Sequence, residues 1–401
     1  MRKSRDEPAE PLRPVAETAA IADDGDPAGR FPSDVSGDRR GALWPRLARL
    51  AGILPATGGE DEDCRALSGG RQHPSGSRRA DGGAVRAPGS AAADRGPGFD
   101  VAIPPGGYIW WYFDGLSDDG RHAITVIAFI GSVFSPYYAW AGRRDPLNHC
   151  CINVALYGKS GGRWAMTERG RDSLRRDGSS LCIGPSALSW RDADLVIALD
   201  EIGAPWPRPV QGEIRLTPTH LPGRAFTLDA DGRHVWQPIA PAARLAVTLD
   251  RPALSWRGNG YLDSNFGSEP LEAGFREWSW SRAHQPNGTI VLYDSLRRNG
   301  SRSALALRFP AGGGVETLSP PARHALGTTL WRISRRAGAD AGTKPRVIQT
   351  LEDAPFYARS LIDCRLYDAP AVAFHESLSL DRFDSPIVKL MLPFRMPRRF
   401  F

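Results

Sequence analysis

From residue 99 onward, short segments rich in apolar and aromatic residues alternate with Gly, Pro, Asp and Asn turns, roughly every ten residues. That spacing restricts this part of the chain to a mainly β fold. YIWWYFDGLSDDGRHAITVIAFIG reads as strand, Asp-Gly turn, strand. HCCINVALYG, SALSWRDADLVIALDEI, GEIRLTPT, ARLAVTLD and ALALRFP continue the pattern, and no long stretch repeats with a helical period. A weak internal repeat is also visible. Trp110 lies ten residues before Gly120, and Trp278 ten before Gly288, each opening an aromatic strand, a Gly turn and an apolar strand. Each hairpin is expected to open one β domain, with the boundary near Ser268.

The first 98 residues differ in texture. They hold only two aromatics, Phe31 and Trp44, among Gly, Pro, Ala, Arg and Asp. Such a composition buries too little apolar surface to offset the entropy of ordering, so a disordered low-complexity tail is expected over 1–98. Within it, Leu43, Leu47, Leu50 and Leu54 would share one face of a short helix. Met166 is the next methionine after Met1, so a misassigned non-Met start codon is another origin for the tail.

Charge and cysteine content exclude several classes. Residues 1–98 carry 15 basic and 15 acidic side chains, so the net charge of +6 belongs to the remainder. That excess is modest and unclustered, and no nucleic-acid-binding signature accompanies it. The longest nearly apolar run, Ile124 to Phe134, is too short to span a bilayer. Five cysteines without a CxxC spacing argue against a disulfide framework or a Cys-based zinc site. The N-terminus has no apolar core of a signal peptide, which points to the cytoplasm.

No phosphate-binding loop, dinucleotide fingerprint, HExxH or GxSxG elbow is present, and the eight histidines show no ligand spacing. Two segments stand out. In GRHVWQPIAP, His234 and Trp236 are two apart and face one side of a strand; in SWRGNGYLDSNFGSEP, Tyr261 and Asp263 do the same. Gly258, Gly260 and Gly267 frame a short strand there. Asp is disfavoured inside strands, so Asp263 needs a reason to be where it is. Each residue also has a plainer account: a half-exposed His234, core aromatics at Trp236 and Tyr261, and a turn-capping Asp263.

At these residues the sequence resembles the carotenoid 1,2-hydratases of photosynthetic bacteria. The resemblance runs through PPGGYIWWYFDGLSDDGRHAITVIAFIGSVFSPYYAWA, DPLNHCCINVALYG, RWAMTERG, GRHVWQPIAP, GYLDSNFG, TLEDAPFYARSL, HESLSLDRF and MLPFRMPRR, and so covers about 99–401. It implies two lipocalin-like β domains, 99–268 with the catalytic segments and 269–401. It implies water addition to the terminal C1=C2 bond of acyclic carotenes such as lycopene and neurosporene, with no redox cofactor, metal or oxygen.

The family's functional positions fall on His234, Trp236, Tyr261 and Asp263. A buried Asp263 kept protonated would donate the proton that leaves a tertiary cation. Trp236 and Tyr261 would stabilise that cation through their ring faces. His234 would orient or deprotonate the water, or else hydrogen-bond Asp263. The C-terminal SPIVKLMLPFRMPRRFF interleaves Lys389, Arg395, Arg398 and Arg399 with Ile387, Leu390, Leu392, Phe394, Phe400 and Phe401. That composition suits peripheral contact with membrane lipid on the cytoplasmic side, although MLPF also reads as a last strand. A lipocalin-like lipid carrier is the alternative function. Carbohydrate cleavage is a third, weakened because no second carboxylate lies at strand spacing from Asp263.

Overall fold

The computed structural model describes residues 98–158 and 162–399. The expected tail up to residue 97, its Leu43–Leu54 helix, Cys64, Phe400 and Phe401 lie outside the described residues.

The described chain is mainly β. A first sheet is built from β1 (Tyr108–Ser117), β2 (His122–Ile130), β3 (Cys150–Gly158), β4 (Arg163–Arg169), β5 (Leu174–Arg176) and β6 (Ser180–Ile183). It continues with β7 (Ser186–Arg191), β8 (Asp194–Ile202), β9 (Pro209–Pro218), β10 (Phe226–Thr227), β11 (His234–Arg251) and β12 (Leu254–Gly267). Its order is β4-β3-β2-β1-β12-β11-β9-β8-β7-β6-β5, with β10 against β11. Contacts of β4 with β8 and of β3 with β6 curl the sheet into a barrel-like form.

The second sheet contains β13 (Phe275–Gln285), β14 (Gly288–Arg297), β15 (Arg302–Pro310) and β16 (Glu316–Thr317). β17 (Ala322–Leu326) and β18 (Arg335–Ala339) form a separate ribbon. β19 (Arg346–Asp353), β20 (Tyr357–Leu366) and β21 (Ala369–Ser379) complete the second sheet, in the order β16-β15-β14-β13-β21-β20-β19. Four short helices are described: α1 (Pro136–Trp140), α2 (Leu271–Gly274), α3 (Leu380–Phe383) and α4 (Pro386–Arg395). None is long and apolar enough to cross a membrane.

Both predicted hairpins form. In the first, Asp119 Oδ1 accepts bonds from Ser117 Oγ and the Arg121 amide, while Gly120 takes φ +67°. In the second, Gly288 takes φ +140°, a conformation L side chains rarely adopt.

β1 explains why its sequence is a continuous apolar run rather than an alternation. Ile109, Trp111 and Phe113 point into the core of the first sheet, and Tyr108, Trp110 and Tyr112 into a second core shared with β13 and β14. A strand covered on both faces needs apolar residues at successive positions. The four described cysteines, Cys150, Cys151, Cys182 and Cys364, are buried.

β12 is longer than the short strand framed by glycines that the sequence suggested. Gly258 and Gly260 lie within it, because the neighbouring strand comes too close for a side chain. A Cβ on Gly258 would sit 2.0 Å from the Leu116 carbonyl oxygen. Gly267 serves the same purpose beside the Tyr108 ring, where a Cβ would lie 2.6 Å away.

Candidate active site

β1 and β13 face each other across the second core, and the weak repeat becomes a set of contacts. Trp110 lies 5.9 Å from Trp278 and Tyr112 lies 5.3 Å from Trp280, centroid to centroid, and Arg282 makes a buried ion pair with Asp114. Each of these pairs joins residues separated by 168 positions. The repeat therefore brings equivalent residues of two strands together around one cavity.

Asp263 sits mid-strand on β12, opposite Tyr112 in register. Its Oδ2 accepts hydrogen bonds from Trp236 Nε1 and the Tyr261 hydroxyl, both at 2.7 Å. Its Oδ1 is buried without a hydrogen-bond partner. Burial pushes the carboxyl up from its ordinary 3.8 to about 8, although the Tyr261 and Trp236 bonds pull the other way. Near neutral pH the group is thus a carboxylic acid, and two donors on Oδ2 leave the proton to Oδ1. Once that proton is given up, the same two donors hold the carboxylate. Such support is stronger after proton transfer than before it.

Asp263 lines a small cavity of about 30 Å³ with Trp110, Tyr112, Trp278, Trp280, Tyr293 and Glu376, among others. Trp110, Tyr112, Trp278 and Glu376 also line a larger, mostly apolar cavity of about 260 Å³. The larger cavity runs past Phe129, Phe134 and Phe356 to Trp331, Met391, Phe394 and Arg395. The two cavities share these four residues, the larger reaching α4 and the smaller the acid.

α4 replaces the alternative reading of MLPF as a last strand. The segment is a helix, and its unusual feature is the exposed face: Ile387, Leu390 and Phe394 are 71%, 71% and 73% exposed, with Met391 beside them. Residues 387, 390, 391 and 394 share one side of a helix. The basic residues divide. Arg398 turns inward to pair with Glu168 and to donate to the Asn148 carbonyl, and Lys389 pairs with Asp384 at 2.7 Å. Arg395 packs over Trp164 at the cavity mouth.

The structure brings Trp236, Tyr261 and Asp263 together; the two-residue spacing suggested this for Tyr261 and Asp263 alone. Trp236 and Tyr261 meet the acid through their polar atoms, and the cavity rings are other residues. Asp263 accepts bonds from side chains rather than capping a turn. His234 is fully buried, not half-exposed, and does not hydrogen-bond Asp263: its Nδ1 is 2.8 Å from the Tyr108 hydroxyl and its Nε2 is 3.2 Å from Glu269. Burial lowers its pKa below the ordinary value.

Residues of the second sheet were missed. Trp278 and Trp280 were visible in the repeat, and Glu376 stood in HESLSL without a role. Glu376 Oε1 lies 2.8 Å from Arg359 Nε and 2.9 Å from the Tyr112 hydroxyl.

A β protein with a neutral, buried carboxylic acid in an aromatic-lined cavity has the makings of a general-acid catalyst for an apolar substrate. Residues 126–401 match the carotenoid hydratase family CrtC. The chain is 56% identical over 375 residues to the acyclic carotenoid 1,2-hydratase of Thiocapsa roseopersicina, covering 92% of this chain and 93% of that protein. It is 46% identical over 395 residues to the acyclic carotenoid 1,2-hydratase of Rubrivivax gelatinosus, covering 97% of each. The chain belongs to the carotenoid hydratase family, whose members are hydro-lyases.

Proposed function

We propose that the protein hydrates the terminal C1=C2 bond of acyclic carotenes such as lycopene and neurosporene, giving a tertiary alcohol, without a redox cofactor or metal. The observation that carries this reading is the neutral, buried Asp263 in a small aromatic-lined cavity beside a larger, mostly apolar one. An isolated alkene is a weak base, so its protonation needs an acid held away from water. Asp263 Oδ1 gives its proton to C2, leaving the positive charge on the more substituted C1. The faces of Trp110, Tyr112, Trp278, Trp280 and Tyr293 wall that cation, each ring contributing about 0.5–2 kcal/mol. Water then adds at C1.

Trp236 and Tyr261 hold the acid and stabilise its conjugate base. His234 acts as a positioning residue through Tyr108, whose ring stacks on Trp110 at 5.1 Å. We take each sheet as the body of one lipocalin-like domain, 99–268 and 269–401, with the cavity between them. A cavity of about 260 Å³ holds one end of a polyene, since pockets for whole drug-sized ligands run to roughly 300–1,000 Å³. The rest of the substrate stays in lipid, against which the apolar face of α4 rests peripherally.

Anaerobic incubation with lycopene in liposomes made up in oxygen-18-labelled water, without added metal, tests the reaction. The expected product is lycopene plus one labelled water, read by mass spectrometry. Bound but unchanged lycopene, with neurosporene also unchanged, would support a carrier and overturn the hydratase reading.

A further inference from the structure

We propose that Glu376 is the catalytic base of this hydration, orienting the attacking water and taking its proton across the cavity from Asp263. The inference rests on the hydration reading and adds a residue from the second sheet to it.

The placement comes from the pairing of strands. In the first sheet Tyr112 on β1 is in register with Asp263 on β12; in the second, Trp280 on β13 is in register with Glu376 on β21. Tyr112 and Trp280 pack together, so the two carboxylates flank one aromatic pair from opposite sheets. Both line the small cavity, and Glu376 also lines the larger one. It therefore stands where the substrate path meets the acid.

Their surroundings differ in the way an acid and a base require. Among the described residues, no cation pairs with Asp263. Glu376 is paired with the fully buried guanidinium of Arg359 at 2.8 Å. The contacts from Arg359 and Tyr112 both fall on Oε1, which leaves Oε2 for water. The negative charge of Glu376 also favours the protonated form of Asp263. Other candidates are placed less well. Asp114 is closed off by Arg282 and Tyr112 and does not line the small cavity, and His234 has both ring nitrogens engaged.

The step balances. The Asp263 proton forms the new C–H bond at C2 as the alkene π bond breaks. The water oxygen bonds to C1, and one of its protons passes to Glu376. Return of a proton from Glu376 to Asp263 through solvent resets the site, with one water consumed.

The test compares wild-type enzyme with Glu376→Gln and Glu376→Ala on lycopene in liposomes, across pH and with added formate. Glu376→Gln is expected to lower kcat about 100-fold or more while circular dichroism stays unchanged. Loss of the anion beside Asp263 should also move the alkaline limb of the kcat profile to lower pH. Formate should restore part of the activity of Glu376→Ala, because a small carboxylate can occupy the vacated space. Near wild-type turnover in Glu376→Gln would overturn the assignment. So would a loss with neither formate rescue nor a shifted limb, which marks a structural role. A wild-type enzyme that forms no product would overturn the hydration reading itself, and this one with it.

Discussion

Asp263→Asn is expected to lower turnover by about 10³–10⁴-fold and, at the same time, to raise the stability of the fold. The first effect follows from removing the neutral carboxylic acid that lines the small cavity. The second follows from linkage. Asp263 titrates near 8 in the folded chain, against 3.8 for an unburied carboxyl. Below the lower value both states hold the proton, and no ionisation penalty arises. Between the two values the unfolded chain releases a proton that the folded chain keeps, so stability falls as pH rises. At pH 7 this amounts to roughly 4 kcal/mol at one pKa unit per 1.36 kcal/mol. Asparagine is neutral at every pH and still offers an oxygen to Trp236 and Tyr261. Thermal unfolding at pH 7 and pH 4 checks this: the variant should gain stability over wild type at pH 7 and little at pH 4. A variant that is inactive but less stable at pH 7 would contradict a neutral buried acid.

The second large effect concerns access. Leu390→Asp with Phe394→Asp is expected to abolish co-flotation with liposomes and to lower turnover of membrane-embedded lycopene about 100-fold. Burying side chains of this size contributes roughly 1.5–3 kcal/mol each, and both are exposed beside the cavity mouth. A short acyclic terpene dissolved in detergent should lose much less turnover, since the acid is untouched and Phe394 meets the cavity only at its far end. Unchanged flotation would remove α4 as the lipid-facing element.

How much of this was legible beforehand depended on the range of the interaction involved. The β1–β2 hairpin is written in contiguous residues, and the Tyr261–Asp263 pair in a two-residue period; both could be read locally. Trp236 could be placed near them only through the resemblance, because pairing of β11 with β12 is not encoded in spacing. Glu376 is further removed still. Its link to Asp263 runs through two registers and a contact between sheets, none of which leaves a local pattern.

The four site residues expected from the sequence lie within 99–268, yet Trp278, Trp280 and Tyr293 are three of the five aromatics that line the small cavity. α4 was hidden for a different reason. Its apolar residues face outward and Pro393 interrupts it, so it lacks the inward stripe by which a globular helix is recognised. The second carboxylate that seemed missing for glycoside cleavage is present as Glu376, but the surrounding walls are aromatic and apolar and suit a polyene better than a sugar.

The central claim, that a neutral Asp263 is the proton donor, is open to direct measurement. Infrared difference spectra of wild type minus Asp263→Asn, recorded as a function of pH, isolate the carbonyl stretch of this one carboxylic acid. The account predicts a protonated band at pH 7 that disappears with a midpoint near 8, in step with the loss of lycopene hydration. A carboxylate already ionised at pH 6, in an enzyme still active there, would contradict it.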